Sequence, residues 1–270
     1  MHEYVHGYSG REAERLSDQA QTLSEIIHHD TLFPERSFVL EAGCGTGAQT
    51  VIVAPKNPSC RFKSVDISPQ SLDSARANAA NAGIDNVEFE QGNIFTLGFP
   101  DETFDHILVC FVLEHLPDPA RALVSLKRVL KPGGTITLIE GDHGSAFFHP
   151  HSEAAVRAVY AQVKLQADSG GNALIGREIY PLLRSAGYKN CRVSPRFVYA
   201  DSSNPAMVEG FTKNTFTAMI EGVRDKAISG GIMNEADFDK GIADLYRTAA
   251  RDGVFCYTFF KGIGIKEEPI

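Results

Sequence analysis

No run of basic residues longer than two occurs in this 270-residue chain, and its 26 lysines and arginines face 34 acids, a net charge of −8. A surface that tracks phosphates is not built from that balance, so nucleic acid is not an expected partner. Cysteines are few. Cys44, Cys60, Cys110, Cys191 and Cys256 are odd in number and scattered, with neither a disulfide framework nor a zinc spacing, a usage that fits a reducing cytoplasm. No apolar stretch approaches the ~20 residues that cross a bilayer, and no basic segment followed by an apolar run opens the chain. The expectation is a cytoplasmic protein without membrane partners. Internal repeats and low-complexity tracts are missing too, so one domain is expected. With 43% hydrophobic residues, its core needs no metal or disulfide staples.

The most informative stretch is Val39–Gly47, where a short apolar run ends in Glu41 and glycines follow at 43, 45 and 47. This pattern predicts a strand, a tight turn and a helix start. Glycine permits positive φ at such a turn, and a missing Cβ lets a ligand lie against the backbone. Helix N-termini add unpaired N–H groups on the same side. Gly43, Gly45, Gly47 and Ala48 also satisfy the dinucleotide fingerprint. A second strand, 61–65, ends in Asp66, nineteen residues after Gly47, where a carboxylate can accept from ribose hydroxyls.

Three further segments continue the order. Val87–Ile94 reads as a strand running into a polar turn through Gly92 and Asn93. Thr103–Phe111 is an apolar strand followed by Leu113, Glu114, His115 and Leu116. An apolar helix over 122–130 is broken at Lys131–Gly134, and Thr135–Glu140 forms another strand. Alternating strands and helices predict a parallel sheet, helices on both faces, and a ligand at the strands' carboxyl ends. These successive motifs, Glu41–Gly47, Val65–Ser68, Gly92–Ile94, Phe104–Asp105 with Leu113–Leu116, and Leu130–Gly134, closely resemble those of class I S-adenosylmethionine-dependent methyltransferases. The likeness is dense over 36–142 and loose beyond.

The resemblance implies an α/β, Rossmann-like fold. Its mainly parallel seven-stranded sheet has an antiparallel last strand and helices on both faces, here with a helical cap. On that reading residues 1–35 form an N-terminal helical lid and 36–142 the cofactor-binding core. Residues 143–187 and 200–252 are cap and substrate segments, and 188–199 and 254–265 the last strands. A helix is expected over 11–29, where apolar residues recur at helical spacing. Others are expected over 152–167, 177–186, 204–226 and 234–251.

The cofactor implied is S-adenosylmethionine, leaving as S-adenosylhomocysteine. By resemblance Gly43, Cys44, Gly45 and Gly47 would pass close to it, Glu41 would orient its amino group, and Asp66 would hold both ribose hydroxyls. Ile67 and Ile94 would flank the adenine, Asn93 would reach its amino group, and Cys110 and Phe111 would line the methyl-transfer point. This family often has aspartate where Asn93 stands, but an amide oxygen also accepts from an amine. Tyr8, Arg15 and Gln19 on the first helix form a second cofactor group; Arg15 and Gln19 are four apart and share a face.

Histidine is the natural proton acceptor near neutral pH. His143 and His115 follow strands at the carboxyl edge and are the catalytic candidates. Although His149 and His151 have His-x-His spacing, they sit in a polar loop and no metal is expected. The partner expected is a small-molecule methyl acceptor, with the chain a monomer or homodimer. Two other readings use the same glycine turn. One is a non-catalytic S-adenosylmethionine-binding regulator or assembly protein. The other is a nicotinamide-dependent oxidoreductase, which requires a sixth parallel strand.

Overall fold

The computed structural model describes the backbone of residues 10–268 and the side chains of 19–268. Among these residues seven strands form one sheet. The parallel ones are β1 (Phe38–Ala42), β2 (Arg61–Asp66), β3 (Val87–Gln91), β4 (Phe104–Cys110) and β5 (Leu130–His149), completed by β6 (Lys189–Asp201) and β7 (Val254–Ile265). The order across the sheet is β3-β2-β1-β4-β5-β7-β6. β7 lies antiparallel to both β5 and β6, as expected for the last strand. The neighbour of β5 is thus an antiparallel strand and not a sixth parallel one, which removes the oxidoreductase topology.

Helices flank the sheet: α1 (Gly10–His28), α2 (Thr50–Lys56), α3 (Pro69–Asn81), α4 (Pro119–Val129), α5 (Glu153–Asp168) and α6 (Ile179–Ser185). Several of their starts are written in the sequence. Ser68, Asp118 and Ser152 each accept a backbone N–H three residues on, and Pro69 and Pro119 occupy first helical positions. Such caps satisfy donors that a helix start leaves orphaned. Gly187, at φ +79°, follows α6 in the left-handed conformation that ends a helix.

The sheet separates two cores. One face packs Leu40, Ile107, Val109 and Leu138 against α4 and α6. The other packs Val39, Leu108 and Ile139 against α1, α5 and the helical segment between β6 and β7.

Two elements differ from the sequence expectation. β5 does not stop near Glu140 but continues to His149. Its pairing with β7 shifts register between Asp142 and Phe147, and the Ser145 hydroxyl fills the gap, accepting from Thr258 N at 2.9 Å and donating to Asp142 O at 2.7 Å. Gly141 is glycine because a Cβ there would collide with the Tyr257 hydroxyl.

The expected single helix over 204–226 is instead Pro205–Met207, a wide-turn π stretch Val208–Thr217, Ala218–Glu221, and a separate Arg224–Ser229 helix. The wide turn brings residues five apart onto one face. Thr215 Oγ1 donates to Gly210 O at 2.7 Å, and Phe211 and Phe216 both pack on Tyr257, with ring centroids 5.6 and 5.4 Å away. In an α-helix, at 3.6 residues per turn, those two rings would diverge.

The Glu235–Arg247 helix crosses α5 at Gly241, where a Cβ would stand 2.6 Å from Ala154 O. Alanine is the better helix former by about 1 kcal/mol, but the two helices would have to part. Gly241→Ala is therefore expected to destabilise by about 1–3 kcal/mol, measured by urea unfolding; unchanged or greater stability would refute the close packing.

Candidate active site

The site forms where the sheet order reverses, with β1 turning to β2 on one side and β4 on the other. Gly43, Gly45 and Gly47 all have positive φ, +83°, +52° and +78°. Their missing Cβ atoms serve different ends. A Cβ at Gly43 would stand 2.5 Å from a Val112 methyl, and one at Gly47 3.2 Å from the Ala75 Cα, whereas one at Gly45 would meet nothing within 4 Å. So two of the glycines accommodate the protein's own packing, and Gly45 is the one whose open side faces space a ligand can enter.

Asp66 braces that turn. Its Oδ2 accepts from Gly45 N at 2.7 Å and its Oδ1 from Ser68 N at 2.9 Å. Each oxygen keeps a second acceptor position for a ligand hydroxyl. Glu41 is buried beneath the turn, its Oε2 accepting from Thr50 and Ser64 hydroxyls, both at 2.6 Å. Burial pushes its pKa up against the lowering effect of those two bonds. Cys44 is buried, and burial raises its thiol pKa, so it offers no thiolate.

Ile67 is exposed, beside Asp66, available as an apolar wall. Asn93 is exposed, with its Oδ1 accepting from Phe95 N at 2.9 Å, and Ile94 is half-buried next to it. Cys110 is buried at the end of β4, and burial pushes its thiol pKa well up, so the thiol is neutral. Phe111 holds φ +57°, a left-handed conformation uncommon outside glycine and concentrated at functional sites. Its ring lies 5.4 Å from that of Phe259. Gln19 is buried on α1. Tyr8 and the Arg15 side chain lie outside the described residues.

The two catalytic candidates are placed unequally. His143 is buried at the carboxyl edge, its Nδ1 2.8 Å from the Tyr257 hydroxyl and its ring edge-on to Phe216. Burial raises the Tyr257 pKa well above the usual phenol value, so the phenol keeps its proton. If it donates to Nδ1, Nε2 of the neutral ring is the protonated nitrogen; if Nδ1–H donates to it, Nε2 presents a lone pair. His115 lies in the short turn after β4, 3.6 Å from Glu114. Tyr257 was not legible as a site residue, because its signal was only a β-prone run.

Neighbouring polar groups fix this edge. Arg177 clamps Asp142 through two bonds of 2.7 and 2.8 Å. Glu140 Oε1 accepts from Val112 N at 3.1 Å and Leu113 N at 2.8 Å, holding the loop after β4, while its buried Oε2 has no hydrogen-bond partner among the described residues. A further chain reaches the glycine turn from behind. Lys261 Nζ donates to Thr31 Oγ1 (2.7 Å), which lies 3.1 Å from His28 Nδ1, and His28 Nε2 lies 2.7 Å from Gln49 Oε1 at the head of α2. Burial lowers the His28 pKa to about 4, so the ring is neutral. Its Nε2–H donates to Gln49, and Nδ1 accepts from Thr31.

Burial, together with the charge of Glu114, raises the Glu140 pKa well above its ordinary value. The folded protein therefore keeps a proton that the unfolded chain loses near pH ~4.3. This contribution is full below that pH and is lost as pH rises through the folded value. Glu140→Gln is expected to remove part of the fall in stability toward neutral pH, read as urea midpoints at about pH 5 and about pH 8. A variant with the wild-type slope would show that Glu140 ionises normally.

Among the described residues no helix is long and apolar enough to cross a membrane. Residues 35–187 match the family of methyltransferase domains. A methyltransferase of Schizosaccharomyces pombe is 35% identical over 147 residues, 52% of this chain and 52% of that protein. A demethylmenaquinone methyltransferase of Listeria monocytogenes is 35% identical over 103 residues, 38% of this chain and 44% of that protein. The chain thus spans about half the length of these relatives or less. Phosphoethanolamine N-methyltransferase 2 of Haemonchus contortus, solved with phosphomonomethylethanolamine and S-adenosylhomocysteine, is similar in fold at TM-score 0.57 and 15% identity, over 93% of this chain and 52% of that one.

Proposed function

The chain belongs to the methyltransferase-domain family of class I S-adenosylmethionine-dependent enzymes, and on that premise we propose that it methylates a small, partly apolar acceptor. The observation that carries the cofactor assignment is the open side of Gly45 beside Asp66. Bound there, S-adenosylmethionine supplies a sulfonium whose methyl carbon is open to in-line attack.

The protein's share is binding, orientation and water exclusion. Asp66 would hold the ribose hydroxyls with the acceptor positions its backbone bonds leave. Ile67 and Ile94 would flank the adenine, and Asn93 would meet its amino group. Glu41 supports the turn from below and sets its electrostatics near the cofactor's amino group. Cys110 and Phe111 would border the transfer point, neutral and apolar. His143, fixed by Tyr257, would orient the acceptor or take its proton, according to which ring nitrogen carries hydrogen; His115 is the secondary candidate.

Support for a small apolar acceptor comes from the aromatic side chains packed around His143, with Phe216 and Tyr257 in contact with it and Phe259 bridging to Phe111. In this reading the segment 1–35 is the lid, and α5 with the helical segment between β6 and β7, which share a face of the sheet with Phe216 and Tyr257, would enclose the acceptor. The named activity of the Listeria relative, on a demethylmenaquinone, is compatible with an acceptor of that apolar, ring-bearing class.

Calorimetric titration tests the cofactor first. S-adenosylmethionine and S-adenosylhomocysteine are expected to bind at micromolar affinity or tighter, and reduced nicotinamides not at all; nicotinamide binding alone would overturn the reading. Asp66→Ala should weaken cofactor binding roughly tenfold to a hundredfold, the worth of charge-assisted hydrogen bonds. With an acceptor found by mass gain, His143→Ala should lower kcat by about a hundredfold, and Tyr257→Phe should move its pH profile. Normal turnover in His143→Ala would remove that residue from the mechanism.

A further inference from the structure

A cavity of about 280 Å³ lies on the α1 face of the sheet, toward the amino ends of the parallel strands and away from the glycine turn. Its floor is Thr135 and Thr137 of β5 with His106 of β4, and the loop after α1 closes it with Leu32, Phe33 and Pro34. Phe33 stacks on the His106 ring with centroids 5.3 Å apart. Lys261 lines the same cavity although only 2% of its side chain is exposed.

Charge is out of balance beside this cavity. Lys261 Nζ donates to Asp30 Oδ1 at 2.8 Å, and Arg196 Nη2 donates to Asp30 Oδ2 at 2.6 Å. One carboxylate thus serves two cations, leaving a net charge of +1 in the triad. Although partial burial acts the other way, those bonds hold the Asp30 pKa down at about 2, so the single acid is ionised. Two of the three Lys261 ammonium protons are used, by Asp30 and Thr31. Arg196 Nε is buried with no hydrogen-bond partner among the described residues. Buried donors without acceptors are costly, and of these two cations Lys261 lines the cavity, where an anion would satisfy it.

We propose that this cavity is a second ligand site, which binds the carboxylate of a small apolar acid. The carboxylate meets the third Lys261 proton, in the positive field to which Arg196 adds from behind Asp30, and the body of the acid lies between Phe33, Leu32 and Ile263. A strongly hydrated inorganic anion suits such walls poorly, since its water would be lost without replacement along the apolar side. None of its residues belongs to the glycine turn or the His143 pair, so the site stands without the cofactor reading, although Lys261 and Thr31 connect through His28 to Gln49.

The probes are benzoate, its neutral isostere benzamide, and sulfate, each titrated into the full chain at constant ionic strength and followed by calorimetry and thermal unfolding. Benzoate is expected to bind saturably and to raise Tm, with benzamide and sulfate weaker by roughly tenfold or more. Lys261→Met should abolish the benzoate effect. Since that variant exposes the fold to loss of a buried ion pair, Leu32→Asp serves beside it: position 32 is exposed, and a carboxylate at the rim should weaken benzoate by several-fold through repulsion. No benzoate binding, equal responses to benzoate and sulfate, or undiminished binding in Leu32→Asp would each overturn the proposal.

Discussion

The bond from Gly45 N to Asp66 Oδ2 is the constraint on which the site's geometry depends. It ties the end of β1 to the end of β2 at the place where the sheet's connections diverge, and holds a left-handed glycine turn open. Sheets of this class bind ligands in the crevice outside the carboxyl ends at such a switch point. Here the crevice is maintained from both sides. Asp66 pulls the turn toward β2, while Glu140 gathers the first amides after β4. Two carboxyls, one on each side of the switch point, thus shape the backbone of two loops.

Behind these loops the chemistry changes from polar to aromatic. β5, β7 and β6 extend past the parallel strands and carry Phe255, Tyr257 and Phe259 as a column under the wide-turn helix. Phe211 and Phe216 meet that column on the same helical face only because the turn is wide. Close packing of this kind transmits displacement instead of absorbing it. The histidine that faces the proposed acceptor is consequently held by a rigid wall, with the Tyr257 phenol among its partners.

Much of this was legible in the sequence because it is local. The glycine spacing and Asp66 at the end of an apolar run each act within a few positions of themselves. The antiparallel pair at the end of the chain was also readable, from two β-prone runs and the family's sheet. What was not readable is non-local or compensating. Val112 and Ala75, the reasons for glycine at 43 and 47, come from other elements. The run of β5 to His149 depends on a serine that repairs a register shift, and Gly141 makes room for Tyr257, more than a hundred positions on. The wide turn of Val208–Thr217 has no sequence periodicity that separates it from an α-helix, and the partners of His143 and Lys261 lie more than a hundred and two hundred residues away in the chain.

The chain of bonds behind the glycine turn has a direction. A protonated lysine has three donors and no lone pair, so Lys261 can only begin the sequence of bonds. Thr31, having accepted from it, passes its own proton to His28 Nδ1; the neutral ring has its remaining proton on Nε2, and Gln49 must offer oxygen there. The way one amide faces at the foot of the turn is therefore not a local choice of Gln49. It is the readout of a charge buried on the last strand, carried across the core as an ordering of protons with no displacement of atoms.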